Sequence, residues 1–87
     1  MKYRSRTDII SQVLLAANGG TTKTKIMYSA YLSYAQLKEY LSVLLENGLI
    51  EYQQGEQKFR TTPKGLQFLK TYEHMGQMVS ISPPTTQ

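Results

Sequence analysis

Apolar residues recur at intervals of three and four along the first half of the chain, which is the spacing that places side chains on one face of an α-helix. This pattern predicts a first helix over residues 7–18, with Thr7 as its N-cap and two glycines after its end. A short second helix is predicted over residues 23–30, after two threonines that suit an N-cap. Each of these helices therefore has one apolar face to pack against a core.

The third predicted helix has the clearest boundaries. Ser33 followed by Gln36 matches a capping box, in which each side chain accepts a hydrogen bond from the other residue's backbone N–H. Asn47 and Gly48 end the helix, because both residue types tolerate the backbone conformation of a helix terminus. The predicted buried stripe of this helix consists of Leu37, Leu41, Leu44 and Leu45.

After residue 48 the apolar period shortens to two, which is typical of strands. Two short strands are predicted over residues 49–52 and 57–61, joined as a hairpin by a turn in which Gly55 is available for a positive φ. Alternation places Lys58 and Arg60 on one side of the second strand, and the phenylalanine between them on the side of the core.

A fourth helix begins at Thr62 and Pro63, because threonine is a good N-cap and proline suits the first helical position. It is predicted to end near residues 75–78. Residues 79–87 contain two prolines and no charge, and are predicted to form a flexible tail. The ordered part of the chain is thus predicted to be one domain over residues 1–78.

The predicted order is helix, helix, helix, strand, strand, helix. This is an α+β fold, mostly α, in which a three-helix bundle is followed by a two-stranded wing and a C-terminal helix. The second and third helices are joined by a short turn, which is the helix-turn-helix arrangement. A hairpin directly after the third helix makes it a winged helix-turn-helix.

The composition excludes several kinds of site. The 87 residues include no cysteine, so disulfides and thiolate metal sites are excluded, and a reducing, cytoplasmic location is expected. The longest unbroken apolar run, Val13 to Ala17, is far shorter than the about 18 residues of a membrane span. The single histidine, His74, and the single aspartate, Asp8, form no acid–base arrangement. We therefore expect neither an enzyme nor a bound cofactor or metal.

Positive charge is concentrated in the first half of the chain. The formal net charge is +4. Residues 1–38 contain six Lys or Arg and one acidic residue, whereas residues 39–87 contain four basic and five acidic residues. A modest basic excess alone is weak evidence for a polyanionic partner. Its location on the N-terminal arm, the second helix and the start of the third favours one.

Four stretches resemble the small archaeal winged-helix DNA-binding proteins. They are GTTKTKIMY at residues 20–28, LSYAQLKEYL at 32–41, NGLIEY at 47–52 and FRTTPKGL at 59–66. The similarity covers roughly residues 5–75, and the last two stretches mark the winged-helix scaffold rather than any one regulator. The resemblance implies a nucleic-acid-binding role in transcription or chromatin organisation, and often a homodimer.

In a helix-turn-helix the third helix enters the major groove of DNA, and its first turns contact base edges and phosphates. The two N-terminal arginines would form a basic arm, and the two cations of the wing would contact neighbouring phosphates or the minor groove. The residues predicted to contact DNA are Arg4, Arg6, Lys23, Lys25, Ser33, Tyr34, Gln36, Lys38, Lys58 and Arg60.

Three of the residues on the third helix allow a second interpretation. Gln36 can pair bidentately with adenine, but the same amide is the capping partner of Ser33, and both roles remain open. Tyr34 also suits packing at the edge of the core. Glu39 lies on the exposed face, where a carboxylate repels phosphate unless a basic side chain pairs with it.

The favoured hypothesis is a sequence-preferring double-stranded DNA-binding protein that acts as a transcriptional regulator. It would be a homodimer through the fourth helix, whose Phe68 and Met75 extend its apolar face. The alternative is a winged-helix protein–protein interaction adaptor without strong DNA binding, which Glu39 and the modest net charge support.

Overall fold

The computed structural model describes the backbone of residues 4–81 and the side chains of residues 4–72. Its elements are α1 (Arg6–Ala17), α2 (Lys23–Ser29), α3 (Tyr34–Glu46), β1 (Ile50–Gln53), β2 (Lys58–Thr61) and α4 (Pro63–Ile81). The predicted order of elements and the predicted fold class are therefore confirmed. Residues 82–87 of the predicted tail lie outside the described residues, and α4 extends beyond the end expected near residues 75–78.

The N-cap of α1 is Ser5, and the predicted cap at Thr7 is wrong. Ser5 Oγ accepts a hydrogen bond from the N–H of Asp8 at 3.0 Å, and Asp8 Oδ2 accepts one from the N–H of Ser5 at 3.1 Å. This reciprocal capping box requires an acceptor three residues after the cap. Asp8 supplies that acceptor for Ser5, whereas Ile10 stands at the same position relative to Thr7.

The core lies between the three helices of the bundle, the inner side of the wing and α4. Val13, Leu14, Ile26, Leu37 and Leu44 are fully buried. The predicted stripe of α3 needs one correction, because Tyr40 is 6% exposed and Leu45 is 41% exposed. At 100° per residue Tyr40 lies beside Leu37 and Leu44. Leu45 lies about 40° beyond Leu41, outside the buried arc.

The wing is an antiparallel hairpin that a third segment extends. The register pairs Ile50 with Thr61 and Tyr52 with Phe59. Thr21, in the segment before α2, pairs with Phe59 on the other edge of β2 through two backbone hydrogen bonds of 2.9 and 2.8 Å. The residue with positive φ in the turn is Gln57, at 54°, and not Gly55 as predicted.

Thr62 connects the wing to α4. Its Oγ1 accepts a hydrogen bond from the N–H of Gly65 at 3.1 Å and donates one to the carbonyl of Gly48 at 2.6 Å. The predicted start of α4 at Thr62 and Pro63 is confirmed. One hydroxyl therefore caps α4 and ties it to the turn after α3.

Three side chains of α4 show how it packs on the bundle. Leu69 is buried and Phe68 packs against the core, while Leu66 is 42% exposed. The core therefore already uses Phe68, which the sequence assigned to a dimer interface, and the side chain of Met75 lies outside the described residues. Tyr72 Oη donates a hydrogen bond to Asp8 Oδ1, which joins α4 to the start of α1.

Candidate nucleic-acid interface

The first turns of α2 and α3 meet at an exposed aromatic ring. The ammonium of Lys23, at the start of α2, lies 5.5 Å from the centroid of the Tyr34 ring. The ammonium of Lys38, one turn into α3, lies 5.7 Å from the same centroid. The Tyr34 side chain is 56% exposed. We call these three residues the Lys–Tyr–Lys cluster.

The Lys–Tyr–Lys cluster is an arrangement that favours an anionic partner. The face of an aromatic ring carries negative electrostatic potential, and this attracts the two ammonium groups. Two like charges held close together on an exposed surface also attract an anion that can neutralise both. The structure thus unites three residues of the predicted interface that are separated by up to fifteen positions in the sequence.

Gln36 forms the predicted cap. Its Oε1 accepts a hydrogen bond from the N–H of Ser33 at 3.0 Å, and Ser33 Oγ accepts one from the N–H of Gln36 at 3.2 Å. Of the two roles that the sequence left open, the capping role is the one the structure contains. A bidentate pair with adenine requires both the oxygen and the nitrogen of the amide, so the cap occupies half of the group that would contact the base.

The carboxylate of Glu39 is paired with Arg6. The two groups lie 3.9 Å apart, and both side chains are more than half exposed. The guanidinium of Arg6 also lies 5.2 Å from the centroid of the Tyr40 ring, so it covers the side of α3 that faces α1. The negative charge of Glu39, which counts against a phosphate partner, is thus offset by Arg6 from the first turn of α1.

Arg4 does not extend into solvent as the predicted basic arm requires. Its guanidinium donates hydrogen bonds to the side-chain oxygen of Gln12, to the carbonyl of Ala30 and, at 3.0 Å, to the carbonyl of Tyr31. These acceptors lie on α1, at the end of α2 and in the turn before α3. Arg4 is half-buried because it lies in the angle between α1 and α2.

The cations of the wing lie on one side of β2, as the alternation predicts. Lys58 faces Gln53 across the hairpin, and Arg60 faces Glu51. The Arg60 guanidinium packs over Gly20, where its Nη2 would lie 3.6 Å from a Cβ built on the glycine. Lys58 and Arg60 are both half-buried, so their charges lie close to the surface of the sheet.

An open groove of about 580 Å³ lies between the wing, the start of α2 and the end of α3. Its lining includes Leu45, Tyr52 and Phe59, with Lys23 and Gln57 at its polar parts. The rings of Tyr52 and Phe59 are 4.9 Å apart between centroids. Leu45 lines this groove instead of packing in the core, which accounts for its exposure. The groove therefore continues the surface of the Lys–Tyr–Lys cluster towards the wing.

The predicted site residues fall into three groups. Lys23, Tyr34 and Lys38 come together, Ser33 and Gln36 form the cap beside them, and Lys25 is exposed on the same first turn of α2. Arg6 lies at the α1 side of α3, and Lys58 and Arg60 lie on the wing. The guanidinium of Arg4 is directed into the protein, where it donates hydrogen bonds to three groups.

Sequence reasoning missed the residues that line the groove. A signal for Leu45 was present, since it follows Lys38 by seven positions and two helical turns return a residue to the same side of a helix. For Tyr52 and Phe59 no local signal exists, because their position against α2 depends on how the wing folds back.

The described part of the chain offers neither a metal site nor a membrane-spanning helix. No group of three or more His, Cys, Asp or Glu side chains converges there to hold a metal ion. Among the described helices, none combines the length and the apolar character needed to cross a membrane.

Comparisons with known proteins agree with this architecture. The model of a family described as winged helix-turn-helix matches residues 3–80. An uncharacterized protein of Methanocaldococcus jannaschii is 27% identical over 81 residues, which cover 92% of this chain and 81% of that protein. The crystal structure of Sso10a-2, a DNA-binding protein from Sulfolobus solfataricus, superposes with a TM-score of 0.75 at 21% identity. That match covers 88% of this chain and 83% of Sso10a-2.

Proposed function

Because the chain belongs to the winged helix-turn-helix family, we propose that it binds double-stranded DNA, with α3 in the major groove and the wing against the neighbouring backbone. The observation that carries this proposal is the Lys–Tyr–Lys cluster on the first turns of α2 and α3. Sso10a-2, which shares the fold, is itself described as a DNA-binding protein. The protein acts by binding rather than by catalysis.

The cluster supports DNA binding because of where its charges lie. In helix-turn-helix complexes the start of the second helix approaches the phosphate backbone, and the first turns of the recognition helix approach both base edges and phosphates. Lys23 occupies the first of these places, and Tyr34 and Lys38 occupy the second. Lys23 and Lys38 then bind phosphate, and the ring of Tyr34 attracts both ammonium groups, which lie 5.5 and 5.7 Å from its centroid.

Affinity and selectivity come from different groups in this proposal. Phosphate contacts supply most of the affinity and carry no sequence information. Selectivity falls to exposed residues of α3 that take no part in the cap, such as Ala35 and Ser42. A preference for certain sequences would make the protein a transcriptional regulator, acting where the chromosome is, in the cytoplasm of an archaeal cell.

We further propose that two copies pair through α4. The helix has 19 residues, which correspond to about 28 Å, and it is long for one side of so small a core. Leu66 exposes 42% of its surface on this helix. A two-fold dimer would present two α3 helices to half-sites about one helical turn apart.

Salt-dependent binding tests the proposal. A labelled duplex of mixed sequence, long enough for two half-sites, is titrated with protein at several salt concentrations. Each phosphate contact contributes about 0.9 to the slope of log K against log salt. We expect Lys23→Ala and Lys38→Ala each to lower the slope by about that amount. Lys70→Ala, which removes an exposed lysine from α4, is the matched control and leaves the slope unchanged.

Two outcomes contradict DNA binding through this surface. The first is no measurable binding of any duplex at low salt, which would favour the adaptor hypothesis. The second is a slope that Lys70→Ala lowers as much as Lys23→Ala does. The dimer is tested separately by the mass in sedimentation equilibrium. Leu66→Lys is expected to give one-subunit mass, whereas Leu15→Lys, which changes an even more exposed leucine on α1, keeps the dimer.

A further inference from the structure

Arg4 joins α1 to the end of α2 and to the turn that leads into α3. Its Nη1 donates to Gln12 on α1 and to the carbonyl of Ala30, which is the C-cap of α2. Its Nη2 donates to the carbonyl of Tyr31 at 3.0 Å. The last carbonyls of a helix have no partner within the helix. A planar guanidinium can serve two adjacent carbonyls at once, which a single ammonium does less well.

The turn that Arg4 contacts has an unusual backbone. Tyr31 has φ at 55°, in the left-handed region that residues with a Cβ rarely adopt. Its side chain is 81% exposed, so packing of the ring does not hold the residue in place. Hydrogen bonds hold it instead. The N–H of Tyr31 donates to the carbonyl of Tyr28 at 3.3 Å and the N–H of Leu32 donates to the carbonyl of Met27 at 3.0 Å, which is the Schellman pattern of a helix end, and Arg4 adds a donor to the carbonyl of Tyr31. Such a conformation persists only where its surroundings stabilise it.

The Lys–Tyr–Lys cluster spans this turn. Lys23 precedes it on α2, whereas Tyr34 and Lys38 follow it on α3. The distance between the Lys23 ammonium and the Tyr34 ring therefore depends on the path of the chain through Tyr31.

We propose that Arg4 is a positioning residue for DNA binding, because it fixes the turn between α2 and α3 and so sets the geometry of the cluster. The inference rests on the proposed function. It differs from a phosphate contact by Arg4, since all the hydrogen bonds of the guanidinium run to groups of the protein.

Arg4→Lys separates positioning from charge. The variant keeps the positive charge but loses the fork of donors. We expect its affinity for the mixed-sequence duplex to fall about tenfold while the slope of log K against log salt stays that of the natural chain. Lys70→Arg, which exchanges one cation for another at an exposed position of α4, is the matched control and keeps its affinity. If Arg4 bound phosphate, Arg4→Lys would keep affinity and Arg4→Ala would lower the slope by about 0.9.

A measurement on the free protein tests the same inference without DNA. The N–H of Leu32 donates to the carbonyl of Met27 at 3.0 Å across the turn. In Arg4→Lys we expect faster amide hydrogen exchange at Leu32, with the amide of Leu44 in α3 unchanged. A general loss of stability would accelerate both, and unchanged exchange at Leu32 would overturn the inference. If the natural chain binds no duplex but Leu32 responds, the proposed function fails while the role of Arg4 in the turn stands.

A second variant provides a rescue. Glycine adopts a positive φ without the penalty of a Cβ. Tyr31→Gly in the Arg4→Lys background is expected to restore part of the lost affinity, because the turn then needs less support. The contrary result is that Tyr31→Gly lowers affinity by the same factor in the natural chain and in Arg4→Lys. The two residues would then act independently, which contradicts the inference.

Discussion

The backbone of α4 at Gly65 packs directly on the carbonyl group of Leu49. A Cβ built on Gly65 would lie 3.2 Å from the carbonyl carbon of Leu49 and 2.6 Å from Cγ2 of Thr61. The same carbonyl of Leu49 accepts a hydrogen bond from the N–H of Thr62 at 3.1 Å. The two scaffold motifs around residues 47–50 and 62–65 therefore contact each other, and the glycine is required by the closeness of that contact.

Gly65→Ala is expected to destabilise the fold by about 1–3 kcal/mol, the usual range for overpacking, because the clash is with backbone and cannot be relieved by a rotamer change. Urea unfolding of the free protein measures this. Gly55→Ala is the control, since no atom lies within 4 Å of a Cβ built there. Equal stability of the two variants would contradict the packing described.

Ser33→Ala is expected to lower the free energy of unfolding by about 1 kcal/mol, because it leaves the N–H of Gln36 without its cap. The N–H of residue 33 remains in the variant, so the hydrogen bond that the side chain of Gln36 accepts is kept. Thermal unfolding gives the stability. Thr24→Ala, which changes an exposed hydroxyl inside α2, is expected to have no comparable effect.

Thr61→Val is expected to cost about 1–3 kcal/mol, because it removes the buried hydrogen bond from Thr61 Oγ1 to the carbonyl of Leu14 at 2.6 Å and leaves that carbonyl without its donor. Thr7→Val changes an exposed threonine on α1 and provides the comparison. Because the bond joins β2 to α1, we expect the variant to unfold in one cooperative transition. Faster amide hydrogen exchange in β2 alone would indicate that only the wing is destabilised, which would contradict this expectation.

The contact between Asp8 and Tyr72 makes stability depend on pH. The hydrogen bond from Tyr72, followed by that from the backbone N–H of Ser5, lowers the pKa of Asp8. A carboxylate with a lowered pKa in the folded state stabilises that state above its unfolded pKa, near 3.8, and this is lost as the pH falls through the folded value. Tyr72→Phe is therefore expected to lower the urea midpoint at pH 7, and the difference from the natural chain should shrink below about pH 4.

The same contact acts in the alkaline range with the opposite sign. The hydrogen bond to Asp8 is the main cause that raises the pKa of Tyr72 above 10.0. Its contribution is present below that pH and is lost as the pH rises through the folded pKa. Titration followed by tyrosinate absorbance should show one tyrosine that ionises late, and Asp8→Asn should abolish the delay. A late tyrosine that persists in Asp8→Asn would contradict this assignment.

Glu39→Gln is expected to raise affinity for duplex DNA several-fold, because it removes a negative charge from the exposed side of α3 and releases Arg6 from the 3.9 Å ion pair. The gain should be largest at low salt, where charges are least screened. Glu56→Gln, in the turn of the wing, is the control with the same change of net charge. Equal gains in both variants would indicate a nonspecific effect of net charge.

The sequence predicts those parts of the fold that are determined within a few residues. The capping box of Ser33 and Gln36, the alternation of β2 and the proline at the start of α4 are of this kind. The start of α1 was also decided locally, but by the residue three positions after the cap rather than by the cap itself. The buried stripe of α3 contains Tyr40 in place of the predicted Leu45, because a helical period does not fix the edge of a buried stripe.

The candidate site was less predictable because its contacts are distant in sequence. The residue types at Lys23, Tyr34 and Lys38 favoured an interface, but only the folded turn brings the two ammonium groups to one ring. The opposite happened at Arg4, whose acceptors at Ala30 and Tyr31 are 26 and 27 positions away. A basic residue near a terminus carries no local signal that separates a solvent-exposed arm from an internal contact.

The pairing of Thr21 with Phe59 has a mechanical consequence. Two backbone hydrogen bonds fasten the last residues before α2 to the middle strand of the wing. A wing that tilts to follow a wider or narrower groove of DNA must either break these bonds or pull the start of α2, and Lys23 with it. In the proposed complex with DNA, a change in the width of the groove at the wing is thereby converted into a displacement of the ammonium group of Lys23.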